Sequence, residues 1–433
     1  MLDWISAGII GFLSIFARGD SSLQPLELFS WQDTAIFNLP ARDRDVVTQK
    51  ILDDYLQDLA RQGIDPQKQG VWIQSDWGEL ASIEATKPKS AASLTKIATT
   101  IAALSEYGAN YQFETKIYVT GEISNGVLSG DLIVEGSGDP LFVWEEAIAL
   151  GNAVQKLGIQ QVRGNLLVTD KFYMNYKSDT VATGKLLQQA LNSQLWQTEI
   201  KRQYLSLPPD TPKPEIAIAK SPKTISQVPT NARLLIRHKS LPLAEILRQM
   251  NIYSNNKMAQ MLADLLGGAD KVARYAANIT KVPQQEIQLI NGSGLGEENR
   301  ISPRAVCQML IEIDRLLASH PIDVMDLFPV AGRDTVGTIR DRSLPNGTAV
   351  KTGTLDRVSA IAGILHTSDR GKIWFAIINN GGKFNYFRGQ QDKLLQDLVQ
   401  NWQPSPQYEL IEAKSNWYLG DPSRNSYQTS DIN

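Results

Sequence analysis

The sequence predicts a mixed protein of the α/β (α+β) class, in which an antiparallel sheet with flanking helices is interrupted by a β-rich inserted domain. Residues 45–64 and 243–266 repeat apolar side chains every three or four positions, as amphipathic helices do. Residues 349–378 contain consecutive strand-like segments joined by short turns, which indicates an antiparallel meander. Residues 108–236 differ from both, because they are rich in β-forming residues and prolines. A chain of 433 residues is also too long for one ordinary core, so two or three domains are expected.

The first part of the main domain, residues 25–107, is predicted to contain two helices separated by a strand pair. The helix at 45–64 is followed by a strand-like stretch at 70–74, and a turn at 76–78 leads into a return strand. Residues 88–104 begin with proline and serines and continue as an alanine-rich apolar run, which is typical of a helix start.

The inserted domain is predicted to span residues 108–236. Segments 113–123 and 127–134 are β-rich and are joined by an Asn-Gly dipeptide, a hairpin signal. A further strand is indicated at 166–168, and six prolines between positions 208 and 229 exclude a long helix. The alternative, that these residues form a wall of the main domain, stays open on the sequence alone.

The main domain is predicted to resume after the insertion, so that residues 25–107 and 237–402 together form one discontinuous domain. The composition becomes polar and irregular after Pro404. Residues 403–433 are therefore predicted to be an irregular C-terminal tail.

Composition and charge exclude several classes of function. The formal net charge of −3 provides no positive field for polyanions, so nucleic acid is not expected as a partner. The single cysteine, Cys307, lies in an apolar run, which favours a core position over a nucleophile. His238, His320 and His366 lie far apart, and the sequence has no His-Glu-x-x-His, Cys-x-x-Cys or Gly-x-Ser-x-Gly motif. A zinc hydrolase and an α/β-hydrolase are therefore disfavoured, and neither a metal nor a cofactor is implied.

The N-terminal residues 1–24 are predicted to be a signal peptide or a membrane-proximal segment. The run from Trp4 to Ala17 is largely apolar, and its length fits a signal-peptide core better than a membrane span. Asp3 stands where a basic residue is usual and no Ala-x-Ala site follows, so a buried N-terminal helix stays an alternative. The favoured interpretation is export to the periplasm or another extracytoplasmic compartment, with weak membrane association through this segment.

The first candidate motif is Ser93-Leu94-Thr95-Lys96, at the predicted helix start. Residues three apart on a helix share a face, so the amine can take the serine proton if burial keeps the amine neutral. The motif is weak by itself, because the four residues from Ser254 to Lys257 match the same pattern.

The second candidate motif is Ser254-Asn255-Asn256, in the predicted helical region. Its hydroxyl could relay a proton to a leaving amine, and its amide could hold a substrate carbonyl. The three residues from Ser423 to Asn425 match equally well, and polar residues in a helix-start turn are the plain alternative.

The third candidate motif is Lys351-Thr352-Gly353, followed by Thr354, on a predicted strand. Glycine leaves space for a substrate beside the strand, and free backbone groups of an edge can pair with a peptide. The lysine and the two hydroxyls together suit a carboxylate. An ordinary edge strand protected by a lysine is the alternative.

The order of the three motifs is more specific than any one of them. Ser-x-x-Lys, Ser-x-Asn and Lys-Thr-Gly in this order are the signature of penicillin-binding proteins and serine β-lactamases. From about residue 71 to residue 401 the sequence resembles the D-alanyl-D-alanine carboxypeptidase/endopeptidase family of class C penicillin-binding proteins. Further stretches that carry the resemblance are 111–115, 130–140, 292–295, 300–303, 331–335 and 360–363.

The resemblance implies a transpeptidase-like domain of the serine β-lactamase type, with the insertion after the Ser-x-x-Lys helix. It also implies a serine-type D-Ala-D-Ala carboxypeptidase that removes the terminal D-alanine of peptidoglycan stem peptides, with DD-endopeptidase action as a further option. Penicillins and other β-lactam antibiotics would act as covalent inhibitors, because they mimic the D-Ala-D-Ala end.

Catalytic roles follow from the resemblance residue by residue. Ser93 would be the nucleophile and Lys96 the general base. Ser254 would pass a proton to the departing D-alanine, Lys351 would hold that hydroxyl, and Asn256 would bind the substrate backbone.

Substrate-binding roles are carried over in the same way to the third motif. Thr352 and Thr354 would bind the terminal carboxylate beside Gly353. The backbone N–H groups of Ser93 and Thr354 would form the oxyanion hole.

Two departures from the family pattern and two rival functions accompany this interpretation. Asn291 replaces a common aspartate, for which the sequence offers no physical account, and Asn255 stands at a variable position. The insertion is short for the family, which leaves the preference for polymeric cell wall open.

A serine β-lactamase is disfavoured because no Glu-x-x-Leu-Asn motif is present and the insertion is larger than a β-lactamase needs. A non-catalytic peptidoglycan-binding protein with the same fold is disfavoured because the motif residues are intact.

Overall fold

A computed structural model describes residues 45–382, 384–403 and 416–428, and the structural statements below concern these residues. The predicted N-terminal segment, residues 1–24, lies outside them. Within the described ranges no helix is both long enough and apolar enough to cross a membrane.

The helices confirm the amphipathic pattern of the sequence. The first of them, predicted at 45–64, buries Leu52, Tyr55 and Leu59 along one face. In chain order the helices are α1 (Val46–Arg61), α2 (Thr95–Tyr107), α3 (Trp144–Lys156), α4 (Thr180–Ala190), α5 (Thr198–Tyr204), α6 (Leu243–Ile252), α7 (Asn256–Leu265), α8 (Ala269–Thr280), α9 (Pro303–Leu317), α10 (Val324–Leu327) and α11 (Phe384–Trp402).

The strands belong to several separate sheets. In chain order they are β1 (Gly70–Ser75), β2 (Gly78–Ile83), β3 (Lys89–Ser90), β4 (Glu114–Val119), β5 (Ile123–Ser124), β6 (Val127–Leu128), β7 (Leu132–Gly136), β8 (Gln161–Val162), β9 (Leu166–Thr169), β10 (Ala217–Ile218), β11 (Lys223–Ile225), β12 (Arg233–Lys239), β13 (Ile287–Gln288), β14 (Arg300–Ile301), β15 (Ala349–Leu355), β16 (Val358–Thr367), β17 (Gly371–Asn380) and β18 (Asn425–Tyr427).

The main sheet has five antiparallel strands in the order β15-β16-β17-β1-β2. The predicted meander is confirmed as β15, β16 and β17, and β1 and β2 join its far side. Nearly every residue of β16 and β17 is buried, because both faces of the sheet are covered. One apolar core, which includes Leu52 and Trp402, lies on the side of α1 and α11, and a larger one, which includes Ile97 and Leu310, lies on the side of α2 and α9. These layers leave β15 at an edge of the sheet.

The residues predicted to form an insertion have a core of their own. Apolar side chains between Ile117 and Ile236 form a third buried cluster, which is lined by a four-stranded sheet (β10-β8-β6-β5) and a six-stranded sheet (β11-β9-β7-β4-β12-β18). The predicted hairpin is present between β5 and β6, with φ of 49° at Asn125 and 82° at Gly126. The β-rich description was incomplete, because α3, α4 and α5 also pack into this core.

Part of the predicted irregular tail is regular, which corrects that expectation for residues 416–428. Strand β18 pairs antiparallel with β12, with Tyr427 opposite Ile236. Just before it, the Arg424 guanidinium donates to both carboxylate oxygens of Glu146 at 2.6 and 2.7 Å, where both side chains are buried. A three-residue strand and one buried ion pair produce no hydrophobic periodicity, so the sequence pattern could not indicate them.

Candidate active site

Ser93 lies in a strained turn at the start of a helix that is buried over most of its length. It is the middle residue of a single 3-10 turn, Ala92–Leu94, that leads directly into α2. Every residue of α2 from Thr95 to Leu104 is buried, as its alanine-rich composition suits. Ala92 has φ of 46°, a left-handed conformation that costs roughly 1–2 kcal/mol for a residue with a Cβ atom. The surrounding core therefore holds Ser93 at a defined point on the surface of the helix.

Lys96 points back to Ser93 from the first turn of α2. Its Nζ atom lies 3.0 Å from Ser93 Oγ, 2.7 Å from Asn256 Oδ1 and 2.7 Å from the backbone oxygen of Ser293. The side chain is fully buried, and no carboxylate of the described residues forms an ion pair with it. Burial lowers the pKa of the Lys96 amine to about 7, because a charged amine is poorly solvated there.

The second motif occupies a break in the region predicted as one continuous helix. Helix α6 ends at Ile252 and α7 begins at Asn256, with Ser254 between them at φ of 52°. The Asn255 side chain caps α7 by accepting hydrogen bonds from the backbone N–H groups of Lys257 and Met258. This cap begins α7 as a separate helix and leaves Ser254 in the break before it, which a purely periodic pattern does not indicate.

Lys351 projects from β15 toward the second motif. Its Nζ atom donates to Ser254 Oγ at 3.0 Å and to the backbone oxygen of Thr352 at 2.8 Å, and its side chain is fully buried. Burial, and then the charge of Lys96, lower the pKa of Lys351 well below its ordinary value. The site therefore contains two lysine–serine contacts, one between Lys96 and Ser93 and the other between Lys351 and Ser254.

The open edge of β15 faces the Ser93 turn. Val350 donates its N–H to Pro329 O on the side away from β16, and N–H groups along a strand alternate in direction. The N–H groups of Thr352 and Thr354 therefore point in the same direction as that of Val350, away from β16. A Cβ atom on Gly353 would lie 2.9 Å from the backbone nitrogen of Ser93, so only glycine allows this approach. The N–H groups of Ser93 and Thr354, expected to form the oxyanion hole, border the same opening.

The loop at 292–294 forms the floor beneath the Ser93 turn. Thr99 Oγ1 donates to Gly292 O at 2.8 Å, and the Ser293 oxygen is an acceptor for Lys96. Gly294 has φ of +83°, and a Cβ atom there would lie 1.8 Å from Ala92 O. The contact between Ser293 and Lys96 was not predicted from the sequence, although the two glycines that flank Ser293 are a visible signal of close packing.

Asn291 shapes this loop, which supplies the physical account that the sequence lacked. Its Oδ1 atom accepts from the backbone N–H groups of Ser293 at 3.1 Å and Gly294 at 2.8 Å. Its Nδ2 atom donates to Leu295 O at 2.6 Å. An aspartate could accept the two hydrogen bonds from the loop but could not donate the one to Leu295 O. Asn291 therefore stabilises the loop through both its oxygen and its nitrogen.

The structure brings the predicted residues of all three motifs to one opening. Ser93, Lys96, Ser254 and Lys351 are linked as described, and Asn256 contacts Lys96. Thr352 is nearly buried and Thr354 is exposed on the same face of β15. Among the described residues no group of His, Cys, Asp and Glu could hold a metal ion, and Cys307 is buried.

Comparisons with known proteins identify the family of this chain. The D-Ala-D-Ala carboxypeptidase 3 (S13) family matches residues 48–197 and 218–400, which is most of the chain. The chain belongs to this family. S13 members are serine peptidases, so the chain is a hydrolase with the carboxypeptidase or endopeptidase type of activity.

Individual relatives and solved structures have low sequence identity to this chain, but the similarity extends over most of its length. The D-alanyl-D-alanine carboxypeptidase DacB of Haemophilus influenzae is 23% identical over 387 residues, which cover 67% of this chain and 80% of that protein. A predatory endopeptidase of Bdellovibrio bacteriovorus, solved acylated by penicillin G with an immunity protein, has a TM-score of 0.69 at 22% identity and covers 83% of this chain and 99% of its own. Penicillin-binding protein 4 of Haemophilus influenzae, in complex with a β-lactam, has a TM-score of 0.58 at 20% identity and covers 82% and 99%. These similarities confirm the predicted transpeptidase-like fold.

Proposed function

We propose that this S13 protein is an extracytoplasmic serine DD-carboxypeptidase, which removes the terminal D-alanine of peptidoglycan stem peptides through an acyl-enzyme on Ser93. DD-endopeptidase action on crosslinks is part of the proposal, because both reactions cleave after a D-alanyl carbonyl and release an amine that bears a neighbouring carboxylate. The relatives support both activities, since one is named a carboxypeptidase and another an endopeptidase.

The observation that carries this proposal is the set of three contacts made by the Lys96 amine. A neutral amine has two N–H donors and one lone pair. Asn256 Oδ1 and Ser293 O can only accept, so they use the two N–H groups. The lone pair is then left for the Ser93 hydroxyl at 3.0 Å, which is the arrangement that a general base requires.

Acylation begins when the Ser93 oxygen attacks the carbonyl carbon of the penultimate D-alanine. Lys96 takes the hydroxyl proton as the new C–O bond forms. The negative charge that develops on the substrate oxygen is stabilised by the backbone N–H groups of Ser93 and Thr354. The tetrahedral species stays in place because β15 offers its open edge to the substrate backbone.

Collapse of the tetrahedral species breaks the C–N bond and needs a proton on the leaving nitrogen. Ser254 passes to this nitrogen the proton that Lys96 took from Ser93, while Lys351, 3.0 Å away, holds the Ser254 hydroxyl in place. Thr352 and Thr354 bind the carboxylate of the departing residue. Water then attacks the ester, which releases the shortened peptide and regenerates the Ser93 hydroxyl. A penicillin follows the same first step, but its leaving group stays tethered and the ester persists.

Labelling with a fluorescent penicillin, followed by intact mass, tests the proposal on wild type, Ser93→Ala and Ser426→Ala. The expected result is a stable one-to-one adduct on wild type and Ser426→Ala, and none on Ser93→Ala. Rapid turnover of the penicillin would support a β-lactamase instead. Absence of an adduct on folded wild type would support a non-catalytic wall-binding protein.

The proposed location outside the cytoplasm rests on the apolar run between Trp4 and Ala17 and on the nature of the substrate. Fractionation of cells that express the full chain tests it, with Leu13→Arg as the variant that interrupts the apolar run. Export of wild type and retention of the variant are expected. Wild type confined to the cytoplasm would contradict the proposal, and residence in the membrane fraction after a salt wash would indicate an anchor.

A further inference from the structure

Arg388 lies beside the end of β15 that faces the active site. It is on the first turns of α11, is half-buried, and its Nη2 atom donates to Thr354 Oγ1 at 3.0 Å. Thr354 is exposed at the open edge, one residue beyond the glycine that contacts the Ser93 turn. No sequence motif pointed to this arginine.

The packing of α11 on the main sheet fixes this position. Ser359 lies opposite Thr354 in the β15–β16 pairing, and its backbone oxygen accepts from Gln391 Nε2 at 3.1 Å. Arg388 is three residues before Gln391, so it occupies the same face of the helix one turn earlier. The guanidinium also lies 5.4 Å from the centre of the Phe384 ring, a cation–π contact that holds it in place.

The charge of Arg388 is available for an anion. Within the described ranges no carboxylate forms an ion pair with it. Burial, and then repulsion by Arg342, lower the pKa of Arg388, although an arginine in a protein stays charged. The nearby carboxylates are already engaged, since Asp392 binds Arg342 at 2.7 Å and Asp341 lies beside Arg340. The guanidinium has five donors, and one contact with a hydroxyl leaves most of them free.

We propose that Arg388 is a specificity-determining residue that binds the substrate's terminal α-carboxylate together with Thr354. A carboxylate beside the Thr354 hydroxyl can accept two parallel hydrogen bonds from the guanidinium fork. The inference rests on the proposed function, because the proposed reaction places the departing D-alanine, which carries the carboxylate, beside Thr354. On this proposal, the free carboxylate, rather than the D-alanine methyl group, is the main determinant of specificity for the departing residue.

Calorimetric binding of a D-Ala-D-Ala peptide acid, and of the same peptide as its C-terminal amide, tests the assignment in a Ser93→Ala background. Replacing Arg388 by glutamine should weaken binding of the acid roughly 10- to 100-fold, the effect of losing a charged hydrogen bond, and leave binding of the amide unchanged. Arg388→Lys should recover part of the loss. The matched control is Lys393→Gln, which removes the same charge from the same helix at a side chain paired with Asp58.

Two outcomes would overturn the role of Arg388. One is equal binding of the acid by wild type and Arg388→Gln, and the other is an equal loss for acid and amide. Melting temperatures of the variants show whether such an equal loss comes from the fold. Acid-selective binding that depends on Arg388, in a wild type that neither hydrolyses the peptide nor reacts with penicillin, would support Arg388 and refute the proposed function.

Discussion

The Lys96 amine lies 2.7 Å from the Asn256 side-chain oxygen, so the first and second motifs are joined directly across 160 positions of sequence. This contact occupies one N–H of the lysine, and the Ser293 oxygen occupies another. The amine can therefore turn its lone pair toward Ser93 only when it has lost its third proton. The activity of the site consequently depends on the protonation state of Lys96.

We predict that acylation by benzylpenicillin accelerates as the pH rises through about 7. Burial lowers the pKa of Lys96 to about 7, so the protonated, inactive amine dominates below that pH and the neutral base above it. The second-order rate constant should rise about tenfold per pH unit on the acid side and level off above pH 8 or so. Stopped-flow or quenched labelling across this range measures it.

Lys257→Gln is the control for this profile, because Lys257 completes the competing Ser-x-x-Lys pattern but is exposed on α7. It should leave the profile unchanged. A rate constant that is flat from about pH 5 to about pH 9 would mean that Lys96 is not the base.

We predict that Ser254→Ala slows peptide hydrolysis roughly 10²- to 10⁴-fold, the usual contribution of a positioned proton donor. Its hydroxyl lies 3.0 Å from Lys351, whereas Ser423, in the competing Ser-x-Asn pattern, lies in the C-terminal segment, exposed to solvent. Ser423→Ala should therefore retain full activity. Steady-state rates on a peptide that ends in D-Ala-D-Ala measure both, and equal rates for wild type and Ser254→Ala would remove Ser254 from the mechanism.

The sequence predicted the parts of this protein whose signals are local. The helix at 45–64, the meander at 349–378 and the three motifs each depend on a few adjacent residues. The roles of Ser93, Lys96 and Lys351 came from the resemblance, and the structure brings these side chains into contact with their expected neighbours.

Features that depend on distant contacts were not predictable in this way. The Ser293 oxygen contacts Lys96 across 197 positions, and Arg388 reaches Thr354 across 34. The break between α6 and α7 depends on a side-chain cap at Asn255, which competes with an otherwise continuous helical pattern. Such contacts are fixed by packing, which hydrophobic periodicity does not encode.

We predict that Gly353→Ala slows acylation roughly 10- to 100-fold, because a small displacement of reacting groups has an effect of that order. The added Cβ atom would lie 2.9 Å from both Ser93 N and Ala91 O, so β15 or the Ser93 turn must move. The matched control is Gly389→Ala at an exposed position of α11, where no atom of the described residues lies within 4 Å of the added atom. It should raise stability by about 0.5–1 kcal/mol and leave acylation unchanged. An acylation rate equal to that of the wild type in Gly353→Ala would show that β15 does not fit closely against Ser93.

The C-terminal segment should contribute strongly to stability, and Arg424→Met tests this. Arg424 donates to Glu146 at 2.6 and 2.7 Å and to Lys239 O at 2.8 Å in a buried environment. Burial by itself raises the pKa of Glu146, but His238 and Arg424 together hold it below its ordinary value, so the carboxylate is charged in the folded protein.

Among the described residues, loss of Arg424 leaves this buried carboxylate with only the His238 ring, and breaking such a pair costs about 3–5 kcal/mol. Urea denaturation measures the change. Arg340→Met, at an exposed pair with Asp341, is the control and should leave the midpoint unchanged. Adding Glu146→Gln to Arg424→Met should restore part of the stability, because it removes the unpaired charge. A wild-type midpoint for Arg424→Met would mean that residues 416–428 do not dock on the insertion in solution.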